Sequence, residues 1–339
     1  MTDKRLSKYF KSDLLIKECC CFGSPMEYEG PLGKGLDGVI PQEPDSGESW
    51  EKQESAMITS TVKRLLEKSG KKDLDIGILL GGDLMNQCTS SAYGLESFDI
   101  PYLGLYGACS TFAEGIMTAS MYIEAGAVDN AIASASSHFC TAERQYRFPL
   151  TYGSFPQSTS QHTVTGCGAV FIEKASKSDK GIFIKSALPG IVINRGITNA
   201  SNMGAAMATS AADTLLRHLK GTGSTISDYD LIATGDLGKI GLDMAKEVLK
   251  GYGFEDKRGI MTDCGVLIYD LEKQDVFCGG SGCGCSAVTF CSHIYQEMKK
   301  GVFKRVLLIG TGAMMSPQSL LQGLSIPAVA HLVELELRM

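Results

Sequence analysis

The chain has 339 residues, 44% of them hydrophobic and 21% charged, with a formal net charge of −6. These values suit a soluble globular chain of one large or two medium domains, and with no long basic run they exclude a nucleic-acid footprint. No apolar run approaches the ~18 residues of a spanning helix, so any membrane association is expected to be peripheral.

Residues 1–13 read as a charged, frayed tail. Leu14–Phe22 alternates weakly and ends in Gly23-Ser24-Pro25, a strand followed by a turn. Met26–Gly47 is rich in Gly and Pro and reads as loop. Ser49–Gly70 reads as a helix, because Trp50, Ala56, Met57, Val62, Leu65 and Leu66 recur at near-helical spacing and Gly70 ends the pattern. Ile76–Leu80 and Pro101–Tyr106 are expected as buried parallel strands, and Ser110–Ala125 as the helix leading to strand Asn130–Ser136. Thr163–Glu173 closes the first half as a long strand. The second half restarts with strand Ile182–Ile193 and helix Ala205–Leu219, follows the same order and closes with Ala328–Leu335. Such alternation predicts parallel-rich sheets covered on both faces.

Two stretches answer each other: Gly107-Ala108-Cys109-Ser110-Thr111 and Gly282-Cys283-Gly284-Cys285-Ser286-Ala287. Each follows a short β-like run, opens a helical pattern ending near Gly126 or Gly301, and leads to an apolar run at 130–135 or 305–310. Upstream, Leu80-Gly81-Gly82-Asp83-Leu84 is echoed by Ala233-Thr234-Gly235-Asp236-Leu237. The chain thus divides into two copies of one α/β unit, residues 1–175 and 176–339. The predicted architecture is a layered α/β/α/β/α structure with a cysteine on a strand-to-helix turn.

The 12 cysteines are poorly spaced for metal. Cys19, Cys20 and Cys21 are contiguous, and adjacent strand side chains face opposite ways; Cys283-x-Cys285 lacks a second pair. No metal site is expected. Met1–Asp13 shows no secretory pattern, so reduced thiols in a cytosolic compartment are expected. Cys283, Cys285 and Cys291 read as core thiols, and His218 and His293 as helix residues without chemistry.

Further segments are Gly30-Pro31-Leu32-Gly33, Gly82–Gln87, Tyr106–Thr111, Ser136-Ser137-His138, Thr141–Arg147 and Thr163–Gly166. The second half adds Asp228–Ile232, Thr234–Leu237, Gly279–Cys283 and Ser292-His293-Ile294. As an ordered set, from about Gly23 to Glu334, they resemble the thiolase and β-ketoacyl synthase superfamily, and more closely the stage V sporulation protein AD family of endospore-forming bacteria. The resemblance implies a thiolase-like fold and a non-enzymatic role. Such proteins bind dipicolinic acid (pyridine-2,6-dicarboxylate, carried with calcium) and serve with the membrane subunits of the SpoVA complex at the spore inner membrane, in sporulation and germination. It implies no cofactor, and a homodimer through strand Pro101–Tyr106, where Leu103 and Leu105 serve the contact or the core equally well. The chain departs from the family in its cysteine-rich N-terminal strand and its short charged end, Glu334–Met339.

An elbow cysteine at a helix N-terminus gains a lowered pKa and nearby backbone N–H groups. Condensing enzymes add a His with an Asn or a second His from the second half. Repeat alignment places those partners near Gly235-Asp236 and near Ser281, which supply neither imidazole nor amide. The aspartate would oppose a thiolate. The elbow then serves as an anion receptor, with ligand-binding candidates Cys109, Ser110, Asp83, Asn86, His138, Arg144, Asp236 and Ser281. Arg144 and Arg147 are the candidate cations for carboxylates, and Asp83 and Asp236 offer oxygens to calcium. Plainer roles stand beside each: turn caps for the two aspartates, salt bridges for the two arginines, a loop bond for His138, a crowded turn for Ser281, and a small buried residue for Cys109. The alternative function is an acyltransferase with Cys109 as nucleophile and His138 or His331 as base.

Overall fold

The structure, a computed structural model, describes residues 6–41, 44–146 and 156–339. Its main strands are β1 (Lys8–Gly23), β2 (Leu79–Gly82), β3 (Tyr102–Gly104), β4 (Asn130–Ser137), β5 (Gly166–Lys174), β6 (Gly181–Leu188), β7 (Leu231–Thr234), β8 (Met261–Asp263), β9 (Arg305–Ala313) and β10 (Ala328–Arg338). They join in the order β8-β7-β9-β10-β6-β1-β5-β4-β2-β3, with the short strand Gly38–Val39 added to β1. Read outward from the β1–β6 junction, the two halves repeat. Each runs through two antiparallel pairings and then two parallel ones.

Helices separate the layers. α1 (Trp50–Ser69) and α2 (Thr89–Leu95) cover the outer face of the first half; α5 (Met203–Thr222) and α6 (Gly238–Gly251) cover the second. Between them lie α3 (Thr111–Glu124) and α7 (Cys283–Thr289), the latter running on through a π-turn at Phe290–Ile294. α3 touches strands of both halves, so it is apolar nearly all round: Phe112, Ala113, Ile116, Met117, Ala119 and Ile123 are buried. Burying a side chain of the size of Phe112 or Ile116 contributes about 1.5–3 kcal/mol. α1 shows why its sequence folds so. Ser49 Oγ accepts the Lys52 N–H at 3.3 Å, Gly70 closes the last turn at φ 65°, and Met57, Ile58, Val62 and Leu65 pack on Leu79, Ile132 and Phe171.

Three expectations change. The charged tail joins the sheet at Lys8, because Lys8 and Tyr9 pair with Ala187 and Ser186 of β6 and so tie the two halves together. The sheet is mixed rather than parallel-rich. Two short helices, α4 (Phe139–Tyr146) and α8 (Pro317–Leu321), follow β4 and β9; neither crosses the sheet face, so β5 and β10 return antiparallel. Thr163 does not belong to the long closing strand. His162–Thr163 pairs instead, in parallel, with Gly280–Ser281.

Candidate ligand-binding site

The strand ends and loops of both halves meet at one cavity of about 360 Å³. Leu84 and Asn86 follow β2, Tyr106, Ala108 and Cys109 follow β3, and Gln145 and Tyr146 end α4. From the other half come Ser281 and Gly282 ahead of α7, and the last residue of β9, Ala313, with residues 314–318 after it.

The elbow is built by close backbone approach. Ala108 sits at φ 50°, a left-handed value that costs a non-glycine residue strain. β9 presses on the turn: a Cβ on Gly312 would lie 2.7 Å from Gly107 O, and one on Gly310 would lie 2.6 Å from Ala113 Cβ. Ser110 Oγ donates to Gly107 O at 2.6 Å, while Ala108 O accepts from Thr111 Oγ1 at 2.7 Å and Cys283 Sγ at 3.0 Å. This leaves Cys109 7% exposed, enough to reach the cavity.

Behind Cys109 lies Asp236, fully buried. Its Oδ1 accepts from Thr311 Oγ1 at 2.7 Å and its Oδ2 accepts the Gly282 N–H at 3.1 Å, while the Cys109 thiol interacts electrostatically with the same carboxylate. Burial raises the Asp236 carboxyl to about 7, and the hydrogen bonds hold it from rising further. Burial first, then the Asp236 charge, pushes the Cys109 thiol well above its ordinary value. The lowering expected from the helix N-terminus is overridden. Asp263, at the end of β8, accepts the N–H groups of Leu237, Gly238 and Gly265 and the hydroxyl of Thr234, and burial lifts it to about 6.

On the opposite wall, Tyr146 donates to Leu84 O at 2.6 Å and lies 3.1 Å from Tyr106 across their hydroxyls. Asn86 Oδ1 accepts from Tyr106 OH and Gln145 Nε2, each at 3.0 Å. The wall is a connected set of uncharged hydroxyls and amides.

The family model for stage V sporulation protein AD matches residues 4–336. Stage V sporulation protein AD of Bacillus subtilis (strain 168) is 41% identical over 329 residues, 96% of this chain and 95% of that protein. The chain belongs to the stage V sporulation protein AD family. Among solved structures, an OleA variant of Xanthomonas campestris bound with cerulenin superposes with a TM-score of 0.61 at 14% identity, covering 97% of each chain. The 3-oxoacyl-(acyl carrier protein) synthase III, FabH, of Xanthomonas oryzae pv. oryzae gives a TM-score of 0.59 at 13% identity, covering 97% of this chain and 100% of that one. At such identities the likeness shows the fold alone, which is thiolase-like.

Within this family member the eight candidate residues fall into two groups. Cys109, Asn86 and Ser281 line the cavity, and Asp236 backs it through its bond from the lining Gly282 N–H. Four are not brought to it. Ser110 is fully buried and spends its hydroxyl on Gly107 O. Asp83 spends its carboxylate on Met85 N–H, Ser91 N–H and Ser91 Oγ, the turn-capping role, so neither aspartate offers calcium an open oxygen at the cavity. His138 is buried, with Nε2 2.8 Å from Gln53 Oε1 and Nδ1 accepting the Cys140 N–H, and burial lowers it to about 4. Arg144 pairs with Glu51 and lies over the Trp50 ring, 5.6 Å from its centre. Arg147 lies outside the described residues. His331, the other proposed base, accepts the Gly190 N–H away from the cavity. The lining residues missed from sequence are chiefly Tyr106, Gln145, Tyr146 and the uncharged 313–318 segment. The two motifs that hold Tyr106, Gln145 and Tyr146 were the available signal.

Proposed function

We propose that this family member binds dipicolinic acid, without turnover, as the ligand-binding subunit of the SpoVA membrane complex used in sporulation and germination. Asp236 carries the reading. It stands behind the elbow, near where the sequence repeat sets a condensing enzyme's base, and it favours the protonated thiol rather than activating it. What remains is a cavity within the usual size of small-molecule sites, roughly 300–1,000 Å³, with aromatic walls, convergent uncharged donors and one acidic residue, Glu143, on its lining. A planar aromatic dicarboxylate matches Tyr106 and Tyr146 by its ring and Asn86, Gln145 and Ser281 by its oxygens. Calcium, in this reading, arrives as the ligand's own chelate and offsets its charge. No helix among the described residues is long and apolar enough to cross a membrane, so association with the spore inner membrane runs through partner subunits or the surface.

Isothermal titration of dipicolinate into wild-type protein and Cys109→Ala, each with and without calcium, tests this. Saturable binding weakened about tenfold or more in the variant is expected; no binding by wild type in either condition would sink it. An acyltransferase remains the second reading because Cys109 faces the cavity. Its mark is an acyl mass gained on Cys109 from acyl-CoA and absent in Cys109→Ser. We also propose a homodimer through β3, which ends the sheet and leaves Leu103 39% exposed. Sedimentation of wild type as a dimer, and of Leu103→Lys as a monomer, is the expected result; a wild-type monomer at micromolar concentration would refute it.

A further inference from the structure

Asp236 has a second consequence that rests on the receptor reading of the cavity. The carboxylate lies one residue layer behind the floor formed by Cys109, Ser281 and Gly282, and is itself shut off from solvent. Among the described residues, the titratable groups acting most strongly on it are acids and thiols, and Glu143 lines the cavity itself. Cys109 comes from the elbow before α3, Asp263 from the end of β8, and Cys264 from the short helix that follows. Cys283 and Cys285 come from the start of α7. Thr311 on β9 and Gln161, whose Nε2 donates to Asp236 O at 2.6 Å, are neutral. The Gly282 N–H, which would otherwise serve a ligand oxygen on the floor, is already given to Asp236.

We propose that Asp236 is a specificity-determining residue that makes the cavity bind a carboxylate ligand together with one proton. A carboxylate of the calcium-free ligand on this floor sets a second negative charge beside the first in a poorly screened interior, and two such charges do not both persist. The ligand's carboxyls titrate in water well below neutrality and stay ionised; the buried group takes the proton from solvent. Burial already holds Asp236 at about 7, so little further is needed. The proton has a place. Oδ2 keeps the Gly282 N–H, and a proton on Oδ1 is donated to the Thr311 hydroxyl, which reverses its role from donor to acceptor. The site therefore discriminates by pH as well as by shape.

The test is calorimetric titration of sodium dipicolinate between pH 6 and 8.5, in buffers of differing ionisation enthalpy. Wild type is expected to take up about one proton per ligand at pH 8 and to lose about tenfold in affinity per pH unit above neutrality. Asp236→Asn, checked for fold by circular dichroism, is expected to bind without proton uptake and with affinity independent of pH. Thr311→Val, which removes a donor to the ionised form, is expected to move the falling limb to higher pH. Binding by wild type with no buffer dependence would overturn the inference and leave the receptor reading standing, as would proton uptake retained in Asp236→Asn. Absence of binding at every pH would overturn both.

Discussion

At the scale of single residues, the site turns on how burial sorts charge. Cys109 and Asp236 are neighbours in an enclosed place: burial and the Asp236 charge raise the thiol, while the thiol lowers a carboxyl that burial has raised. Cys109 is therefore expected to react with iodoacetamide at pH 8 at least about tenfold more slowly than a free thiol, since the thiolate is the reactive form. Asp236→Asn should speed that reaction by removing the opposing charge. Peptide mass spectrometry over time reads both, and a Cys109 that labels as fast as glutathione would contradict the geometry. The residue chemistry was partly legible. The pairing of an aspartate with the elbow cysteine follows from the repeat of Gly-Asp-Leu at 82–84 and 235–237. That Asp83 spends its oxygens on Ser91, and Arg144 its charge on Glu51, does not follow, because those partners are fixed by the packing of α2 and α1.

At the scale of elements, glycines mark which turns carry structure. Gly70 ends α1 at φ 65° with nothing near its missing Cβ, so Gly70→Ala should cost only the backbone strain, about 1 kcal/mol. Gly282 precedes α7 at φ 98°, and a Cβ there would lie 2.6 Å from Ser137 Oγ. Gly282→Ala should cost more, roughly 2–4 kcal/mol, and weaken ligand binding as well. Urea denaturation of both variants settles the order, and equal midpoints would refute it. Helix α1 was legible to within a residue, since amphipathic spacing and a closing glycine are local signals. The start of β1 was not. Its polar first turn is held by β6, some 180 residues away in sequence.

For the whole molecule, buried ionisable groups predict the pH dependence of stability. Burial raises Glu54 to about 8, Asp236 to about 7 and Asp263 to about 6. Between their ordinary values near 4 and these values, the folded chain holds protons that the unfolded chain has released. Stability therefore falls as pH rises through that range. Burial also depresses His138, His218 and His331 to about 4, so the unfolded chain binds their protons first below about 6.5, and stability falls as pH drops. The opposed trends place the maximum near pH 6. From pH 6.5 to 8 the loss is carried by Glu54 and Asp236, at most about 1.4 kcal/mol per group per pH unit. Melting temperatures across pH 5–8.5 check this, with Glu54→Gln flattening the alkaline limb; a stability that climbs toward pH 8 would be incompatible with these burials.

The sequence by itself determined the repeat, the paired elbows, most helices and strands, and membership of the family, because each rests on local spacing or on an ordered set of motifs. Tertiary structure decided which candidates share a cavity. Cys109, Asn86 and Ser281 meet there while His138 and Arg144 turn to Gln53 and Glu51. The direction a side chain takes, and whether its charge is already spent, depend on neighbours brought together from both halves, and no spacing along the chain encodes that.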